Sequence, residues 1–70
     1  MSFFIERLSE TADGVKRKRL PGDYGDKHAA ELAVEKVVSG YKSHGRNGEQ
    51  GYWWGRDYDG VEFKFVISGG

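Results

Sequence analysis

Apolar and polar positions along this chain first alternate, then break, then lengthen their period, and these changes divide it into a β-hairpin, a helix and a second β-hairpin. From Phe3 to about Glu10, β-forming residues alternate with polar ones; Thr11-Ala12-Asp13-Gly14 supplies turn chemistry, and Val15 to Leu20 resumes an extended pattern. Period-two alternation on both sides of a turn reads as a hairpin. Leu20-Pro21-Gly22-Asp23-Tyr24-Gly25 interrupts it. Ala30, Val34, Val37 and Tyr41 then follow at spacings of four, three and four, one stripe of a 3.6-residue helix. Asp26 stands where the N-cap belongs. Because Tyr41 completes the stripe, the spacing predicts a helix that passes Gly40 and ends near Ser43 or His44, with Gly45 as its left-handed cap. Gly45 to Gly51 is polar and punctuated by glycine, and is expected to be a mobile connector.

Asp59-Gly60 separates Tyr52–Tyr58 from Val61–Ile67 and favours a two-residue type I′ turn. In that register Tyr58 opposes Val61, Arg56 opposes Phe63, Trp54 opposes Phe65 and Tyr52 opposes Ile67. Those eight side chains form the face expected to receive the helix. The reverse face holds Trp53, Gly55, Asp57, Glu62, Lys64 and Val66, with Trp53 beside Val66. This register also sets Asp57 against Glu62, a like-charge pair that leaves another turn length open. The order β-β-α-β-β predicts an α+β domain spanning residues 1–70, a mainly antiparallel four-stranded sheet of two hairpins with one helix across one face.

Two adjacent aromatic pairs, Phe3-Phe4 and Trp53-Trp54, fall in the strand segments. Successive strand side chains point to opposite faces, so each pair places one aromatic on each face. One helix covers one face. The other is expected to meet a second copy of the chain, another protein or a ligand, through Phe4, Trp53, Gly55 and Val66, where Gly55 leaves a gap beside the Trp53 indole. The competing reading packs Trp53 inside the monomer, beneath the glycine-rich stretch or the N-terminal strand.

Composition sharpens this picture. A 70-residue chain buries only about 60% of its unfolded surface, so its two Trp, four Tyr and four Phe must supply much of the core. Cysteine is absent, which removes disulfides, thiolate metal sites and cysteine nucleophiles and suits the cytoplasm. The N-terminal residues meet charge at Glu6 and Arg7, too early for a secretory apolar core, and no stretch approaches the ~20 apolar residues of a membrane span. A soluble cytoplasmic protein with no membrane partner is expected.

Formal net charge is zero, which argues against global attraction to polyanions. Locally, Lys16-Arg17-Lys18-Arg19 forms a basic run. With Arg46 and an exposed Trp53 it could bind nucleic acid, phosphates on the cations and a base on the indole. Alternation would turn Lys16 and Lys18 to one face and Arg17 and Arg19 to the other, so a phosphate backbone would meet two at a time. The simpler reading is a solvated edge strand, where lysine discourages edge-to-edge pairing.

The remaining candidates have structural explanations. Arg56 is expected on the inner face, where it snorkels toward water or lies over an aromatic ring such as Phe63 or Tyr58. His28 and His44 stand about four helical turns apart, too far to share a metal, and Asp23 and Asp26 suit a helix start. Gly45, Gly48 and Gly51 follow a helix and enter a strand, whereas phosphate-cradling loops lead from a strand into a helix N-terminus. No serine has a nucleophile context. No catalytic residue, cofactor or metal site is assigned, and a non-catalytic interaction module is the expected function.

Overall fold

The structure, a computed structural model, describes residues 2–69; Met1 and Gly70 of the expected domain lie outside the described residues. Its elements run β1 (Phe3–Thr11), β2 (Gly14–Arg19), α1 (Lys27–Ser39), β3 (Ser43–Asn47), β4 (Tyr52–Arg56) and β5 (Glu62–Gly69). All pairings are antiparallel, and the sheet order is β2-β1-β5-β4-β3. The α+β class holds, but four strands in the order ββαββ are corrected to five in the order ββαβββ. The additional strand is β3, which takes up the expected helix end at Ser43 and His44 and the first three residues, Gly45 to Asn47, of the segment expected to be a mobile connector. It pairs along β4 from Ser43↔Arg56 to Asn47↔Tyr52. Its sequence, Ser-His-Gly-Arg-Asn, lacks apolar alternation because an edge strand needs little side-chain burial.

The helix starts where Asp26 predicts: its Oδ1 accepts the Ala29 N–H at 2.7 Å. It stops earlier than expected, at Ser39, with Gly40 as a right-handed C-cap. Tyr41 lies beyond the helix, and its ring tilts against Phe63 and Phe65 at centroid distances of 6.0 and 5.8 Å. The buried stripe is therefore Ala30, Val34 and Val38, at i, i+4 and i+8; Val37 is exposed. That stripe packs on Ile5, Trp53 and Phe65, the last fully buried.

Candidate interaction surface

A one-residue difference in the β4–β5 turn decides which tryptophan meets the helix. Asp57 N–H donates to the Val61 carbonyl at 3.0 Å, and Gly60 N–H donates back to the Asp57 carbonyl at 3.2 Å. The loop thus has three residues, Tyr58-Asp59-Gly60, with Gly60 at φ +83°, the left-handed position that closes three-residue hairpins. The Asp57 carboxylate accepts the N–H groups of Asp59 and Val61 at 2.9 and 3.0 Å. In the resulting register Trp53 opposes Phe65, Trp54 opposes Lys64, Gly55 opposes Phe63 and Arg56 opposes Glu62. The like-charge contact between Asp57 and Glu62 is gone. In its place Arg56 and Glu62 form an ion pair at 3.6 Å.

A shift of one residue exchanges faces for a whole strand. Phe63, Phe65 and Ile67 stay inward as expected, but on β4 the inward residues are Trp53 and Gly55, both buried, rather than Tyr52, Trp54 and Arg56. Two of the four residues expected on the uncovered face are therefore corrected: Trp53 and Gly55 face the helix, where Tyr41 lies on Gly55 so closely that an added Cβ would fall 2.7 Å from the ring. Phe4 and Val66 do lie on the face the helix leaves open, Val66 opposite Glu6 and Phe4 opposite Ser68.

Rows across the open face can be read from the register. One row carries Arg17, Leu8, Lys64, Trp54 and Gly45; the next carries Arg19, Glu6 and Val66 on β2, β1 and β5, with Tyr52 and Asn47 on β4 and β3. Trp54 is half-buried because it lies on Gly45, where a Cβ would come within 2.9 Å of the indole. Aromatic cover of a strand glycine is a recurrent stabilising device. Phe4, Leu8, Tyr52 and Val66 are half-buried too, and Val15 is 62% exposed. A cavity of about 220 Å³ on this face is lined by Leu8, Glu10, Val15, Glu62 and Lys64.

The charges of the face are largely matched within it. Arg17 pairs with Glu6 at 3.5 Å, and Glu6 also accepts the Ser68 hydroxyl at 2.8 Å. Arg19 pairs with Asp23 and lies 4.1 Å over the Phe4 ring, while Lys64 sits 5.2 Å over Tyr52. An exposed ion pair contributes at most about 1 kcal/mol; the carboxylates nonetheless offset Arg17 and Arg19, whereas Lys64 keeps its charge over the Tyr52 ring.

The basic run is dispersed as alternation requires. All of β2 is exposed at the sheet edge, with Lys16 and Lys18 turned to the helix side and Arg17 and Arg19 to the open side. Arg46 does not join them. It lies on β3 at the opposite edge, about 19 Å away at strand spacing, where it pairs with Glu31 at 3.6 Å and covers the Trp53 indole at 4.9 Å. Beside it, a cavity of about 300 Å³ is lined by Glu35, Val38, His44, Gly45, Arg46 and Trp53. The buried Trp53 Nε1 has no acceptor among the described residues. No group of three or more metal-ligating side chains occurs among the described residues, nor does any helix there have the length and apolarity to cross a membrane.

Sequence reasoning missed Trp54 and Tyr52 as the aromatics of the open face. The signal that could have found them is the Asp57–Glu62 clash, which a three-residue loop converts into Arg56–Glu62. No protein-family model matches the chain, and comparison with curated proteins and with solved structures returned no significant match.

Proposed function

We propose that the protein is a non-catalytic interaction module that self-associates through its open sheet face, two copies meeting about a two-fold axis. The observation that carries this reading is the placement of Phe4, Leu8, Tyr52, Trp54 and Val66 on one uncovered face whose three arginines have carboxylate partners. Five strands about 4.8 Å apart and five to nine residues long span roughly 500–700 Å², near the ~800 Å² per partner buried in stable complexes. A two-fold contact is self-complementary. Arg17, Arg19, Arg56 and Lys64 can meet Glu6, Glu10 and Glu62 of a second copy without excess charge of either sign.

A second reading has its own support. Tyr52 and Trp54 share their face with Arg17 and Arg19, which is the pairing of stacking rings with cations that single-stranded nucleic acid uses. The carboxylates of Glu6, Glu10 and Glu62 on the same surface oppose it, as does zero net charge. Sedimentation of Trp54→Lys tests the first reading: the expected product is a folded monomer, and a variant that keeps the mass of the parent would exclude this face as the contact. Binding of a single-stranded oligonucleotide, lost in Trp54→Lys and weakened steeply by salt, would favour the second.

A further inference from the structure

The outer backbone edge of β2 is a surface distinct from the sheet face, although Arg17 and Arg19 border both. The helix packs on β1, β3, β4 and β5 and leaves β2 untouched, so both sides of Gly14–Arg19 are open and all six residues are exposed. Ladder parity shows which of its backbone groups are free. Leu20 N–H donates to the Ile5 carbonyl at 2.9 Å, and hydrogen-bonded and non-bonded pairs alternate along an antiparallel ladder. With Glu6↔Arg19 and Arg7↔Lys18 as neighbours in the register, Lys16 and Lys18 bond to β1. Val15, Arg17 and Arg19 then turn their N–H and C=O groups to the outer edge.

Four consecutive cations flank that edge, two on each side of the sheet plane. A phosphate backbone lying on either side reaches two of them, but an added peptide strand alternates its own side chains and reaches all four. A second copy is disfavoured at the same place, because two β2 strands paired antiparallel would set cation against cation. Arg17 and Arg19 already have carboxylate partners in Glu6 and Asp23, whereas Lys16 and Lys18 have none among the described residues. We propose that the outer edge of β2 accepts an extended acidic peptide segment, with about four consecutive carboxylate side chains, as an additional strand of the sheet. Backbone pairing supplies the geometry, and the cations select the acidic sequence and reject self-pairing.

The test uses the full chain and a synthetic peptide of four glutamates flanked by threonines, together with two versions N-methylated at alternate backbone positions of opposite parity. Strand addition predicts salt-sensitive binding, slowed amide exchange at Val15, Arg17 and Arg19, and roughly tenfold weaker binding for one methylated version but not the other, because only one parity faces β2. Lys16→Glu with Lys18→Glu should abolish binding while leaving the circular dichroism spectrum unchanged. Equal binding of both methylated peptides would overturn the proposal, since it would mean charge attraction without strand pairing. Absence of binding would overturn it as well, as would tighter binding of an oligothymidylate of equal charge. Because Arg17 and Arg19 also border the open face, the same binding is measured in Trp54→Lys, which removes the open-face contact without touching β2 and so separates failure of this proposal from failure of that reading.

Discussion

Trp53 and Trp54 are chemically identical neighbours with different physical roles. Trp53 is 4% exposed and packs with Val34, Val38 and Phe65, so Trp53→Ala should cost about 3–5 kcal/mol in denaturant unfolding. Trp54→Ala should cost about 1 kcal/mol, and the reverse order of the two losses would contradict the register. Trp53→Phe should be tolerated far better than Trp53→Ala, because it keeps a ring in the core and removes an indole N–H that has no acceptor among the described residues. Gly55 makes a sharper case. Its Cβ would collide with the Tyr41 ring, so Gly55→Ala should destabilise by about 1–3 kcal/mol. In a Tyr41→Ala background the same change should cost little or nothing, a coupling that a double-mutant cycle reads directly. An unchanged cost would mean that the ring does not lie on this glycine.

At the scale of elements, the helix start was legible because Asp26 carries its own mechanism, a carboxylate that accepts a free helix N–H. Asp26→Ala should cost about 1 kcal/mol of stability. The helix end was not legible, because Tyr41 fits the helical stripe by spacing yet packs on Phe63 and Phe65 from beyond Gly40. Spacing records that a residue is inward, not which backbone delivers it. The strand at Ser43–Asn47 was hidden for a related reason: its stabilising contact comes from Trp54 lying over Gly45, a side chain supplied by the neighbouring strand. Asp59-Gly60 marked the second hairpin correctly, but loops of two and three residues both use a left-handed glycine, and they differ in the face that every β4 residue takes. Gly60→Ala should therefore destabilise the turn by about 1 kcal/mol, because its φ of +83° disfavours a side chain. Gly48→Ala, which has open space and no positive φ, is the matched control and should change little.

For the whole molecule, the reasoning that one helix leaves one side of an aromatic sheet uncovered survives the correction of its central residue. The open face keeps Phe4 and Val66, and gains Trp54 and Tyr52 in exchange for Trp53 and Gly55. It also gains Arg56, paired with Glu62. A face so patterned is apolar in its rings and nearly neutral in charge, which suits association that salt does little to weaken. The most direct measurement is the solution mass by light scattering behind a sizing column, at ~10 and ~500 µM protein and at low and high salt. Self-association through the open face predicts a dimer at the higher concentration that persists in high salt. A monomer under every condition would contradict it.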